Sequence, residues 1–345
     1  MSIDLIQGRK AGLQRVLGQT GLALSGLGLG GAPLGNLYQS VDADAAQQVV
    51  VAAYERGIRY FDTAPLYGSG LSETRMGQAL RAMPRQDYVL SSKAGWLLED
   101  DASVQQDGPY VGLPGRRKHC DYSRDGVLRS LEASLRRLGL DRIDIVYIHD
   151  LDTACHGPDL PQRFREAMDG AWPALADLRR QGVIGAVGLG VNEWQVCEQA
   201  LQHADMDCFL LAGRYSLLDQ SALASFLPTC QQRGIGVVIG GPYNSGILAT
   251  GPVEGAYYDY VPATPAVLQR AGELETVCCR HGVPLAAAAI QFPAFHPAVI
   301  SVVPGARTAG EMELNMKLYE QAIPAALWSD FKAAGLLGAD VPVPV

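Results

Sequence analysis

Short apolar runs recur along the chain, each bounded by turn residues. They are LSGLGLGG (24–31), IRYFDTA (58–64), YVLSSKAG (88–95), IDIVYIHD (143–150), IGAVGLGVN (184–192), DCFLLAGRY (207–215), GIGVVIGG (234–241) and AVISVVPG (298–305). Runs this short and this continuously apolar read as strands buried on both faces, because neither face then needs polar residues. Helical patterns lie between them. DADAAQQVVVAAYERG offers Asp42 or Asp44 as N-cap and closes on Gly57, a good residue just past a helix end. SRDGVLRSLEASLRRLG places Val127, Leu131, Leu135 and Leu138 on one face behind Ser123, and Gly139 follows. TPAVLQRAGELETVCCRHG opens on Thr264 as N-cap, with Pro265 at the first helical position.

Strand and helix alternate eight times along the chain. Such alternation builds a parallel sheet, and this number of repeats fits a (β/α)8 barrel. A doubly wound open sheet is the alternative. It draws support from Gly26-x-Gly28-x-x-Gly31, which spells a dinucleotide fingerprint. That fingerprint needs a helix straight after its glycines, since the helix N-terminus holds the pyrophosphate. Here Ala32, Pro33, Leu34 and Gly35 follow, and the next helical pattern waits until about Asp42. The barrel is therefore expected, as one domain over residues 1–345, with residues 1–23 as a cap across its bottom. Stretches 94–122, 150–161 and 241–263 are too long for plain turns. In this fold they overhang the C-terminal rim, where active sites lie.

Composition narrows the partners. The chain has 345 residues, 48% hydrophobic and 19% charged, with a net charge of −8. The negative charge argues against nucleic acid or an anionic membrane as the main partner. No apolar run reaches the length of a membrane span, and the glycine-rich stretch after Arg15 does not read as a secretory signal. Seven cysteines occur without a CxxC spacing, which signals neither zinc nor a dithiol redox site and suits a reducing cytoplasm. Cys278 and Cys279 are neighbours on a helix and point to different faces. Oligomeric state is not readable.

A barrel directs attention to polar residues at strand ends. The second run ends in Asp62, with Tyr67 in the loop after it; the third ends in Lys93; the fourth ends in His149. Each alone has an ordinary reading: a turn cap, a packing aromatic, a snorkelling lysine, a satisfied core histidine. Together at one rim they form a proton-transfer set. Tyrosine with its usual pKa near 10 is a poor acid at neutral pH, and a nearby ammonium lowers that value. Asp62 can neutralise Lys93, and His149 can bond a substrate oxygen. Neither a nucleophilic triad nor metal-ligand spacing is present, so the missing part is a hydride carrier.

These motifs resemble the aldo-keto reductase family over almost the whole chain. FDTAPLYGSG matches its Asp-Thr-Ala-x-x-Tyr-Gly signature, SKAG supplies the lysine and IVYIHD the histidine. The resemblance implies a catalytic tetrad of Asp62, Tyr67, Lys93 and His149. It also implies a nicotinamide dinucleotide lying across the barrel top, without a Rossmann domain. Gly30, Gly31 and Ala32 then end the first strand beneath nicotinamide and substrate. Asn192 is expected to bond the carboxamide and Tyr215 to stack on the nicotinamide; Ala212 stands where many members have Gln. Ser245, Gly246 and Leu248 in GPYNSGILATG fall on the pyrophosphate loop. Gly305, Ala306, Arg307, Glu311 and Asn315 in PGARTAGEMELN fall on the adenosine segment. In the usual pattern a basic residue four before the asparagine holds a 2′-phosphate. Here it is Glu311, which implies NAD as the preferred coenzyme, with NADP usable through Arg307.

Within the family, LLAGRYSLLDQ and GLGVNEW resemble sugar-oxidising aldose dehydrogenases of the D-threo-aldose or L-fucose type, which oxidise C1 to a lactone. Pyridoxal 4-dehydrogenase and a general aldehyde or ketone reductase are the alternatives, and a nucleotide-binding regulatory barrel without turnover is a further one. Trp96, Ala32 and His149 are the expected substrate contacts.

Overall fold

The computed structural model describes residues 9–344. Its main sheet has eight parallel strands in chain order: β1 (Leu29–Gly30), β2 (Tyr60–Asp62), β3 (Val89–Ala94), β4 (Ile145–His149), β5 (Ala186–Val191), β6 (Cys208–Ala212), β7 (Gly236–Gly240) and β8 (Val299–Val303). Each pairs with the next. Parallel bridges Leu27–Val302 and Gly30–Gly305 bring β8 back against β1. The sheet closes on itself, so the fold is the (β/α)8 barrel and the open doubly wound sheet is excluded.

Strand alternation splits the core in two. Tyr60, Ile145, Tyr147, Ala186, Cys208, Leu210, Val238 and Val303 fill the barrel interior, and Leu17 and Leu24 enter it from below. Side chains on the other strand face pack against the surrounding helices. Leu17 and Leu24 belong to a hairpin, Gln14–Val16 paired antiparallel with Ala23–Ser25. This is the expected bottom cap; its part before residue 9 lies outside the described residues. The first apolar run is thus two strands rather than one. They divide at Ser25, whose hydroxyl donates to the Leu27 carbonyl at 2.7 Å and accepts from the Arg59 and Tyr60 amides.

Helix starts follow the local chemistry. Asp42 accepts from the amides of Asp44 and Ala45 and opens the helix Ala43–Glu55, with Gly57 left-handed just past its end. Ser123 caps Arg124–Leu138, which ends on left-handed Gly139, and Thr264 caps Pro265–Arg280. The dinucleotide-like glycines have packing reasons instead. A Cβ on Gly28 would stand 2.8 Å from the Tyr60 ring, and one on Gly31 2.6 Å from the Ser72 hydroxyl.

The three long stretches lie over the C-terminal rim. The first is a hairpin, Trp96–Asp100 against Arg116–Cys120, with a smaller pair Gln106–Asp107 and Tyr110–Val111 at its tip. The second holds the short helix Thr153–His156, capped by Asp152. The third carries a strap, Tyr257–Tyr258 paired with Val261–Pro262. Among the described residues no helix is long and apolar enough to cross a membrane, and no cluster of His, Cys, Asp and Glu could hold a metal ion. The cysteines are free; Cys278 is buried and Cys279 exposed, as opposed helix faces require.

Candidate active site

Parallel strands bring their carboxyl ends to one rim, and this gathers Asp62, Lys93 and His149. Lys93 is on β3 beside β2 and is almost fully buried. Its ammonium donates to both carboxylate oxygens of Asp62, at 3.0 and 2.8 Å, and to the Thr63 carbonyl at 2.9 Å. All three of its donors are used, as a buried cation requires. The Ser91 hydroxyl donates to Asp62 at 2.7 Å and lies 3.0 Å from the Tyr60 hydroxyl, which is 3.2 Å from that of Tyr147. A line of buried hydroxyls thus runs down the barrel from the acid.

Tyr67 lies above this pair. The Lys93 ammonium is 4.5 Å from the centre of its ring, and the His149 ring meets it edge-on at 6.0 Å. The tyrosine faces a cavity, yet protein crowds it closely. Desolvation, followed by the negative charge of Asp62, raises its pKa well above the usual 10. The expected lowering by Lys93 is overturned: the ammonium is already matched by Asp62, so burial wins. His149 is buried, and burial, then the charges of Lys93 and Lys118, hold its pKa well below the usual 6.5. It is therefore neutral at physiological pH and can donate one hydrogen bond. Its backbone carbonyl is pinned by the Tyr122 hydroxyl at 2.6 Å and the Trp96 indole N–H at 3.3 Å.

Two spaces meet at Tyr67. One is a cavity of about 210 Å³ lined by Tyr67, Lys93 and His149, with Tyr110, Lys118 and Asp150 among its walls. The other is a groove of about 440 Å³ that passes from Tyr67 and Asn192, past Pro242–Gly246, to Gly305, Arg307, Glu311 and Asn315. Tyr67, Asn192, Leu210, Ala212 and Tyr260 line both. The groove fits an extended dinucleotide. Its middle turns through Asn244 and Ser245, left-handed at φ 46° and 58°, with the Asn244 and Gly246 amides donating to the Gly241 and Tyr243 carbonyls at 3.0 and 3.1 Å. Gly246, at φ 106°, has open space where a Cβ would stand. The Asn315 side chain accepts from the Tyr243 hydroxyl at 2.9 Å and donates to the Gly305 carbonyl at 3.2 Å, tying the two walls together.

Most expected contacts line one space or the other: Gly30, Ala32, Asn192, Ser245, Gly246, Gly305, Ala306, Arg307, Glu311 and Asn315 all border the groove. Four are corrected. Tyr215 is fully buried away from the groove, 5.0 Å from Phe292 and 5.8 Å from His296 by ring centres. The chain turns at left-handed Gly213 and sends Tyr215 back to the outer core. Gly31 lies under the rim against Ser72 and the Asp62 carbonyl. Leu248 is buried beside the groove rather than on its wall. Trp96 is absent from the cavity wall; it stacks on His156 behind His149, with ring centres 6.0 Å apart.

The residues missed in sequence are Asp107, Tyr110, Lys118, Asp150 and Tyr260. Four of them come from long loops with no periodicity to place them. Asp150 had a signal: it directly follows His149.

Comparison with known proteins agrees with this geometry. Residues 26–335 match the aldo/keto reductase family, and the chain belongs to that family. It is 42% identical to a pyridoxal 4-dehydrogenase of Microbacterium luteolum, over 95% of this chain and 99% of that one. It is 38% identical to a D-threo-aldose 1-dehydrogenase of a Pseudomonas species, over 92% and 96% respectively. The structure of an aldo-keto reductase from Bacillus halodurans in its holo form superimposes with a TM-score of 0.72 at 27% identity, covering 95% of this chain and 97% of that one.

Proposed function

We propose that the protein is an NAD(P)-dependent dehydrogenase that oxidises the ring form of an aldose at C1 to the lactone. The observation that carries this reading is the junction at Tyr67, where the small cavity and the long groove share a wall above the Lys93–Asp62 pair. A nicotinamide dinucleotide in the groove supplies the hydride acceptor. Tyr67 takes the proton of the C1 hydroxyl as the C1–H bond breaks. His149, being neutral, donates from Nε2 to the same oxygen and holds it in place. Lys93 and Asp62 keep the floor rigid and electrically balanced. In the ring form C1 already bears a second oxygen, so loss of a hydride and a proton gives the lactone with no water added.

The relative that oxidises D-threo-aldoses supports this substrate class. The pyridoxal 4-dehydrogenase relative favours a second reading. Pyridoxal carries a hydroxymethyl group beside its aldehyde and closes to a ring hemiacetal, so the same chemistry serves it. NAD is the proposed coenzyme, with NADP usable: Glu311 lines the adenosine end, and Arg307 is already paired to it at 3.1 Å. A panel of aldoses, pyridoxal and simple aldehydes, followed by nicotinamide absorbance with both coenzymes, tests the reading. The expected product is a lactone lacking a pair of hydrogen atoms. Good oxidation of pyridoxal with no aldose reacting reverses the ranking.

A further inference from the structure

We propose that Asp150 selects the substrate by accepting a hydrogen bond from the hydroxyl on the carbon next to C1, a role that rests on the aldose reading above. Asp150 follows His149 directly and lines the cavity. Its backbone is left-handed, at φ 50°, and its N–H is held by the Gly190 carbonyl on β5 at 3.0 Å. Side chains other than glycine adopt that conformation sparingly, and it concentrates at functional positions. Here it brings Oδ1 to 3.4 Å from His149 Nε2.

The carboxylates around the cavity differ in one respect. Asp62 accepts from Lys93 and Ser91. Asp107 is bonded to Lys118 at 2.9 Å, and Asp152 caps Cys155 and accepts from the Asn192 amide. Among the described residues, no donor bonds the carboxylate of Asp150. The two ammonium groups nearest to it, Lys93 and Lys118, are each committed to another acid. Its side chain is 23% exposed to the cavity, and desolvation, then the charge of Asp152, raises its pKa from the usual carboxylate range to about 7.

Position then fixes the partner. If His149 Nε2 bonds the reacting oxygen, an acceptor at 3.4 Å from that nitrogen reaches a donor on the neighbouring carbon. In a ring-form aldose that donor is the vicinal hydroxyl. Simple aldehydes lack it.

The test compares L-fucose with its deoxy analogue lacking that hydroxyl, in the wild type, Asp150→Asn and Asp150→Ala. NADH binding by fluorescence reports that each variant is folded. The wild type should use the deoxy sugar with kcat/KM lower by on the order of ten- to a hundredfold, the loss that follows from removing one bond to a charged group. Asp150→Ala should abolish the preference, bringing kcat/KM for L-fucose and the deoxy sugar to the same value, with Asp150→Asn in between. Equal losses for both sugars in Asp150→Ala would overturn the proposal while leaving the aldose reading intact, since Asp150 would then act on His149. A wild type that turns over no aldose of the panel overturns the aldose reading and the proposal with it.

Discussion

Asp62 and Asp150 are the same residue at two strand ends of one rim, and both push the pKa of Tyr67 upward. Their surroundings are opposite. Asp62 is matched to a buried ammonium and backed by a line of hydroxyls, Ser91, Tyr60 and Tyr147. A carboxylate paired to Lys93 can only accept, so Ser91 donates to it, Tyr60 to Ser91, and Tyr147 to Tyr60. Asp150 has an imidazole at a long 3.4 Å and no donor of its own. The lesson is in the donors. An acid that the protein satisfies completely belongs to the scaffold of the site, whereas Asp150, 23% exposed to the cavity, is open to a donor on a ligand.

The largest effect is expected between the two, at Tyr67. Tyr67→Phe keeps the ring and deletes the hydroxyl. Loss of general acid–base catalysis is worth about 10²–10⁴-fold in kcat, with coenzyme binding retained in a fluorescence titration. A variant that keeps more than about a tenth of wild-type kcat would remove Tyr67 from the proton-transfer role. Because its pKa is raised, oxidation should climb with pH through the alkaline range, while reduction, which uses the protonated form, stays level through neutrality. Lys93→Met leaves the charge of Asp62 uncompensated beside Tyr67. The proton is then held more tightly, and the rise in oxidation should move to still higher pH. An unchanged profile breaks the coupling between Tyr67 and the pair beneath it.

One substitution made at both acids should act with opposite signs. Asp62→Asn strands Lys93 as a buried cation and should cost about 3–5 kcal/mol in denaturant unfolding. Asp150→Asn should stabilise. The carboxyl of Asp150 titrates near 7 in the folded chain against 3.8 as a reference. Between those values the folded state holds the extra proton, so wild-type stability falls as pH rises across that window. Asparagine carries no such penalty. The variant should therefore melt above the wild type beyond pH 7, and the gap should close below about pH 4. A variant that is less stable at every pH would show that Asp150 is a scaffold acid like Asp62.

The scaffold half of this comparison was legible in the sequence. Every barrel strand was marked by an apolar run, and helix starts at Asp42, Ser123 and Thr264 were fixed by capping chemistry that acts within a few residues. Asp62, Lys93 and His149 could be found because a strand end has a known place in a barrel. Tyr215 failed for a different reason. Its position depends on a left-handed turn at Gly213, and no periodicity shows which way a chain leaves such a turn. Lys118 and Tyr260 sit on hairpins whose register is set by contacts across the rim, so spacing along the chain does not place them. The raised pKa of Tyr67 was missed because charge pairing was visible in the residue types while desolvation was not.

Glu311 offers a third acid, intermediate between the two, and the smallest effect. It lies at the end of the groove far from Tyr67, about 40% exposed, with one oxygen 3.1 Å from the Arg307 guanidinium and the other accepting from the Arg307 amide at 2.8 Å. Thr308 caps the same helix by accepting from the Glu311 amide. Part of its role is therefore that of an ordinary first-turn acid. The pairing also decides what a 2′-phosphate meets. It meets a carboxylate that repels it and a guanidinium whose charge is already matched, whereas a free ribose hydroxyl can donate to Glu311. Glu311→Gln removes the repulsion and frees Arg307 to turn toward the phosphate. An exposed pair of this kind is worth about 0–1 kcal/mol, so kcat/KM with NADP⁺ should rise by only about two- to fivefold, with NAD⁺ little changed. Arg307→Ala should reduce NADP⁺ use more than NAD⁺ use. The measurement is kcat/KM for both coenzymes in all three proteins. If the wild type already prefers NADP⁺, Arg307 governs this end of the groove and Glu311 serves the helix alone.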